Sequence, residues 1–267
     1  MTDEAASECR VERRELGDGA MLFDPDVINP DMINPDRLNA DGIAAGADAV
    51  FDPQHWQASS PEGGRGGRGA VWFIDGEGRN GPVKAVLRHY RRGGLMARLM
   101  GDRYFWRGAE HSRPFQEFRV MQTLVRRGLP VPKPLAARYR RNGLFYRGDI
   151  LIERVPGAKT LAQRLPEAVS DTAFWTRLGE TLGRFQKAGA FHADLNAHNI
   201  LFDRDGSCWL IDFDRGQILR PAAGWQDANL ARLLRSLTKL GAAEVEGFDA
   251  AWAALVSACR HARGDAI

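Results

Sequence analysis

The stretch FHADLNAHNILFDRDGSCWLIDFDRG, from Phe191 to Gly216, sets acids, amides and one histidine between short apolar runs. Asp194, Asn199 and Asp212 fall close together, separated by the strand-like NILF and CWLIDF. Two readings are open. In one, this is a solvated turn and hairpin whose acids face water. In the other, the residues serve phosphoryl transfer from a magnesium nucleotide, which needs a carboxylate to orient a hydroxyl and hard oxygen ligands for the metal. A motif this short can match by accident, so the rest of the chain has to decide.

A chain of 267 residues, 44% apolar, can bury one sizeable core or divide into two lobes of roughly a hundred residues each. The formal charge of +3 is small but unevenly spread: Lys84 to Arg127 is rich in arginine, while the first residues are acidic. That pattern suits a local anionic partner, such as phosphate or lipid headgroups, and argues against coating by nucleic acid. Cys9, Cys208 and Cys259 lie far apart and show no metal spacing, so reduced thiols in a cytoplasmic protein are expected. No apolar run approaches a membrane span, and MTDEAASECR lacks the basic and apolar regions of a signal peptide; membrane contact is expected to be peripheral.

Residues 1–60 show little periodicity, and the repeated Asn-Pro-Asp unit marks 24–46 as a surface insertion. EGGRGGRGAVWFIDGEGRNGPVKAVLRHY reads as a glycine-rich approach to a β-hairpin. Phe115, Phe118, Met121 and Leu124 or Val125 recur at helical spacing from Arg113 until Gly128 and Pro130 end the pattern. Asn142-Gly143 between strand-like runs predicts a second hairpin. After PGAKT the character turns helical. Trp175, Leu178, Leu182 and Phe185 mark one helix, with Ser170 or Asp171 as cap and Gly189 as stop, and Leu230, Leu233, Leu234 and Leu237 mark another. The expectation is an α+β chain. It has an N-terminal segment, 1–60, a small antiparallel-sheet lobe with one helix, 61–154, and a larger, mainly helical lobe, 155–267.

The spacing H-x-D-x-x-x-x-N followed by D-F-D resembles the catalytic loop and metal-binding segment of the protein-kinase-like two-lobed fold. The resemblance implies Asp194 as catalytic base, Asn199 and Asp212 as magnesium ligands, and His192 as a brace for the loop. AVLR stands where that fold has its strand lysine, with Glu117 on the following helix and LIERV joining the lobes. It therefore implies ATP contacts from Arg88, paired with Glu117, from backbone groups of Glu153 and Val155, and from the glycine turn at Gly66 and Gly67. Plainer readings stand beside these: a flexible glycine linker, a solvent-facing Glu117, a buried strand end at LIERV. The chain also departs from the pattern. Arg88 replaces lysine, with Lys84 on the same strand face as the other candidate phosphate contact. Ala193 replaces the loop arginine that receives an activation-loop phosphate in many regulated protein kinases, and Asp214 replaces the glycine of D-F-G.

LRHYRRGGLMARLMGDRYFW, EFRVMQTLVRRGLPVPKPLAAR, GLFYRGDILIERVPGAKTLAQRL, FHADLNAHNIL and WLIDFDRG together resemble the Kdo kinases of Gram-negative bacteria, within the lipopolysaccharide-core kinases. The likeness spans roughly residues 51–257. It implies transfer of the ATP γ-phosphate to the 4-hydroxyl of Kdo on a lipid A precursor, with Mg2+, at the cytoplasmic side of the inner membrane. Arg91, Arg92 and Arg98, interleaved with apolar and aromatic residues, suit an anionic membrane surface or acidic glycolipid, or else form the solvated face of a connecting loop and helix. A kinase of another hydroxyl acceptor and a nucleotide-binding scaffold without turnover are the rival expectations.

Overall fold

The computed structural model describes residues 10–30, 46–56, 71–91, 101–168 and 171–265. They fall into two compact units: Met1–Gln122 with Lys133–Arg154, and Thr123–Pro132 with Val155–Ile267. The strands and helices form an α+β fold, with an antiparallel sheet dominating the first unit and helices the second.

The sheet of the first unit has seven strands: β1 (Glu12–Leu16), β2 (Gly19–Phe23), β3 (Val71–Gly78), β4 (Gly81–His89), β5 (Tyr104–Phe105), β6 (Pro134–Asn142) and β7 (Phe145–Glu153). Their order is β1-β2-β6-β7-β4-β3, with β5 also pairing with β7. The expected hairpins form. Gly78 pairs with Gly81 across Arg79 and Asn80, and Asn142 pairs with Phe145 across Gly143 and Leu144. Gly143 supplies the positive φ, 59°, that this tight turn requires.

Each face of the sheet carries its own core. Met21, Phe23, Ala85, Leu87 and Leu151 point to one face, and Ala20, Leu22, Tyr139, Tyr146 and Ile150 to the other. Helix α1 (Arg113–Arg126) seals the second face with Phe115 and Phe118, as its apolar spacing predicts. Ile28, Val50, Phe51 and Trp56 seal the first.

The N-terminal region therefore differs from the sequence reading. Strands β1 and β2 belong to the sheet, joined by the two-residue turn Gly17-Asp18. Strand β2 is apolar on both faces, so it lacks the alternation that would reveal a half-buried strand. Nor is the stretch from Asp24 a surface insertion where it is described. Asp24 and Ile28 are buried, and the Ile28 N–H donates to Asp24 O at 2.8 Å. The Asn-Pro repeat within 31–45 lies outside the described residues.

The second unit holds α2 (Leu161–Ala168), α3 (Thr172–Lys187), α4 (Ala223–Lys239) and α5 (Phe248–Arg263). Asp171 caps α3 by accepting from the Phe174 N–H at 3.0 Å, and Gly189 ends the run at φ 77°. Helix α5 has no leucine stripe to announce it. It packs on α3 where Gly179 and Gly183 let the backbones of Leu255 and Cys259 approach closely. Cys208 and Cys259 are buried free thiols, and burial pushes each up to about 12. Among the described residues no helix is long and apolar enough to cross a membrane.

Candidate active site

The opening stretch folds as two small strand pairs with the acids in the turns between them. Strand β9 (Ala190–Phe191) pairs with β12 (Gln217–Ile218). Strand β10 (Ile200–Phe202) pairs with β11 (Cys208–Leu210) on one side and with β8 (Lys159–Thr160) on the other. The hairpin turn closes on Asp203, whose carboxylate accepts from the N–H groups of Asp205 and Ser207 and from Trp209 Nε1 at 2.8 Å. Residues 192–199 and 211–216 are the loops left between the pairs.

His192 joins these two loops. Its Nδ1 accepts from the Asp194 N–H at 3.1 Å, and its Nε2 faces Ile211 O at 2.9 Å. A backbone N–H can only donate and a carbonyl can only accept, so the ring is the neutral tautomer with its proton on Nε2. Burial, the largest influence on it, holds the His192 pKa below the usual histidine range. Phe213 packs against the ring at 4.8 Å and lies 6.2 Å from Phe185.

Asp194 and Asn199 are tied together directly, since Asn199 Nδ2 donates to Asp194 O at 2.9 Å. That commits the nitrogen of the Asn199 amide and leaves its oxygen as the end suited to a cation. Asn199 is linked in turn to the second loop, because Asn199 O accepts from the Ile211 N–H at 3.1 Å. Next in sequence stands Asp212, at φ 63°, a left-handed conformation uncommon outside glycine but better tolerated by aspartate than by most residues. The structure thus brings Asp194, Asn199, His192 and Asp212 into one locality.

The other residues expected around the nucleotide are placed as follows. Arg88 on β4 makes an ion pair with Glu117 on α1, and Tyr90 also donates its hydroxyl to that carboxylate, which is fully buried. The Arg88 guanidinium lies 5.2 Å from the Tyr90 ring centroid. Lys84 is exposed and stands in register with Asp75 of β3, away from this pair. The Glu153 N–H is taken up by Lys133 O at 2.8 Å, and Val155 is half-buried. Arg91 is exposed; Arg92, Arg98, Gly66 and Gly67 lie outside the described residues.

A family model described as the lipopolysaccharide kinase (Kdo/WaaP) family matches residues 54–258. The chain belongs to that family. It is thus a phosphotransferase acting on an alcohol group, with a protein-kinase-like α+β fold. A protein of Stenotrophomonas maltophilia (strain R551-3), curated as a 3-deoxy-D-manno-octulosonic acid kinase, is 49% identical over 89% of this chain and 86% of its own length. One of Xylella fastidiosa (strain M12) with the same curated name is 50% identical over 72% of this chain and 75% of its own. The solved structure of WaaP in complex with acyl carrier protein aligns with a TM-score of 0.48 and 16% identity, over 75% of this chain and 77% of that one.

Other residues of this kinase's loop escaped the sequence reading. Asn196 Nδ2 donates to the Asp194 carboxylate at 3.1 Å and so orients it. Asn229 on α4 grips the backbone of His192 reciprocally: its Oδ1 accepts from the N–H at 3.2 Å, and its Nδ2 donates to the carbonyl at 2.9 Å. Ser236 Oγ accepts from the Ala197 N–H at 3.1 Å, and Arg232 approaches Asp194. Positions 229, 232 and 236 follow the i, i+3, i+7 rule of a single helix face. That polar stripe beside the leucines of α4 was the available signal.

Proposed function

We propose that this kinase transfers the γ-phosphoryl group of ATP to the 4-hydroxyl of a Kdo sugar on a lipid A precursor during lipopolysaccharide core assembly. The observation that carries this reading is the 49% identity, across 89% of the chain, with a curated 3-deoxy-D-manno-octulosonic acid kinase. Family membership and the locality of Asp194, Asn199 and Asp212 support it.

In this reading Asp194 accepts the proton of the acceptor hydroxyl as it attacks phosphorus, held in aim by Asn196 and by the loop that neutral His192 braces. The Asn199 amide oxygen and the Asp212 carboxylate fit magnesium, which takes hard oxygens from one or two protein side chains and the rest from phosphates and water. Held by these two residues, magnesium would supply neutralisation of the charge developing on the phosphates. Arg88, fixed by Glu117 and Tyr90, offers a permanent planar cation to the phosphates where lysine is usual. Backbone groups of Glu153 and Val155 serve adenine, and Gly66 and Gly67 cover the phosphates.

The lipid acceptor places the enzyme at the cytoplasmic face of the inner membrane, bound peripherally. Arg91, Arg103, Phe105 and Arg107 are exposed and offer charge beside an aromatic ring to an anionic surface, with Arg92 and Arg98 assigned to the same contact. Arg88, in contrast, is turned inward to Glu117. The test is radiolabelled ATP offered to three acceptors: the Kdo-bearing lipid, the same lipid lacking Kdo, and a generic protein. Label confined to the Kdo-bearing lipid is expected. Equal labelling of the lipid without Kdo, or label only in protein, rejects the acceptor and leaves the fold untouched.

A further inference from the structure

Arg232 stands apart from the rest of the loop's supports. Asn229 and Ser236 on the same face of α4 make hydrogen bonds to the loop and so fix the helix beside it. Arg232, between them, directs its guanidinium at the Asp194 carboxylate but stops at 3.9 Å, too far for a hydrogen bond. Its side chain is 45% exposed and that of Asp194 38%. A surface ion pair at this separation adds little to stability. A planar cation held open beside the proposed base is better matched to something arriving from solvent.

The reading that the acceptor is a Kdo sugar, on which this inference rests, says what arrives. As a 3-deoxy-octulosonic acid, Kdo carries its carboxylate on C1, and only C2 and C3 separate that carbon from C4, which bears the reacting hydroxyl. When the hydroxyl meets Asp194 at hydrogen-bond distance, the acceptor's own carboxylate is brought close to a second carboxylate. Like charges oppose that approach, and a cation placed between them removes the opposition. Arginine suits the task, because its fork can hold a carboxylate through two parallel N–H donors while the same charge still faces Asp194.

We propose that Arg232 is the carboxylate subsite of the acceptor and therefore a specificity-determining residue for an acidic sugar. No proton or bond changes at Arg232; it binds and orients. Asp194 alone receives the hydroxyl proton.

The experiment compares two acceptors, the Kdo-bearing lipid A precursor and its Kdo methyl ester, with the wild type, Arg232→Gln and Arg232→Lys. With the acid, Arg232→Gln should raise the acceptor KM by on the order of tenfold to a hundredfold, the range for losing a hydrogen bond to a charged group, and leave the KM for ATP unchanged. With the ester, the wild type should already be impaired and the substitution should add little. Arg232→Lys keeps a charge but not the fork, and its acid-to-ester preference should fall between the other two. That variant decides the matter should Arg232→Gln fold poorly. Equal losses on acid and ester, or a fall in kcat at constant acceptor KM, would assign Arg232 to Asp194 or to the phosphoryl group and overturn the subsite. A wild type that labels neither acceptor overturns the Kdo reading itself, and the subsite with it.

Discussion

His192 in the second unit and His89 in the first both sit among aspartates, yet their surroundings shift their pKa values in opposite directions. At the end of β4, His89 places Nδ1 at 2.6 Å from Asp149 Oδ1 and Nε2 at 3.1 Å from Asp102 Oδ2. Carboxylates face both nitrogens, so both carry protons, and the hydrogen bond to Asp149 leads in raising its pKa. Arg138 and Arg147 balance the two aspartates with hydrogen bonds of 2.7 and 2.8 Å. His192 has Asp194 two residues away, but it meets that residue's N–H and not its carboxylate, so burial prevails and the ring stays neutral. The group facing each nitrogen, and not the count of acids nearby, sets the charge. One cluster is a closed ionic brace. The other leaves Asp194 part-exposed.

The sharpest way to break this contrast is to neutralise one aspartate in each cluster. Asp194→Asn should lower kcat by about a hundredfold to ten-thousandfold, the usual loss for a positioned base, with stability and ATP affinity nearly unchanged. Asp149→Asn should do the reverse. It leaves His89 and Arg138 without their shared counter-charge in a nearly buried site, and removing one partner of such a pair costs about 3–5 kcal/mol. Its kcat per folded molecule should hold. Denaturation midpoints and turnover measured on both proteins check this. A stable Asp149→Asn with no activity, or an unfolded Asp194→Asn, would erase the distinction. Asp212→Ala should differ from both by weakening the magnesium dependence of ATP binding together with the rate, read by titrating magnesium.

A smaller effect is expected from the phosphate contact proposed for Arg88. Arg88→Ala and Glu117→Ala should each reduce kcat/KM, and the double substitution should lose less than their sum, with a coupling of about 0.5–3 kcal/mol. Strict additivity would shift the phosphate contact to Lys84. The geometry favours coupling, since Arg88 and Tyr90 converge on one buried carboxylate.

The way these clusters are built explains what the sequence could disclose. The Asp194 loop is local: its acids, amide and histidine lie within Phe191–Gly216, with strands on either side whose apolar runs are visible. Hairpins at Asn80 and Gly143 and the stripes of α1, α3 and α4 are local patterns too. Strand β2 stayed hidden because both its faces are buried, and α5 because its buried face mixes residue types, Phe248, Ala251, Leu255 and Cys259, and meets α3 through close backbone contact. Asn229 and Ser236 act on residues some forty positions upstream, and His89 meets Asp149 sixty positions away. No spacing rule links such residues until the chain is folded.

The finest test of the contrast is the pH dependence of stability, where the histidines should act with opposite sign. The folded pKa of His89 lies above its ordinary value of 6.5, so its pairing stabilises fully below about that pH and is lost as pH rises through the folded value. The folded pKa of His192 lies below 6.5. There the unfolded chain takes up a proton that the folded ring refuses, so stability falls as pH drops beneath that value. Asp149 and Asp102, both held below their ordinary 3.8, add losses only at much lower pH. Urea midpoints of the wild type from about pH 5 to 9 should therefore decline at both ends, each by at most about 1.4 kcal/mol per pH unit for one proton. His89→Gln should flatten the alkaline decline and keep the acid one, and His192→Gln should do the opposite. Any variant that flattened the same limb as the other would mean that the two rings share a charge state, and the difference between brace and loop would have to be sought elsewhere.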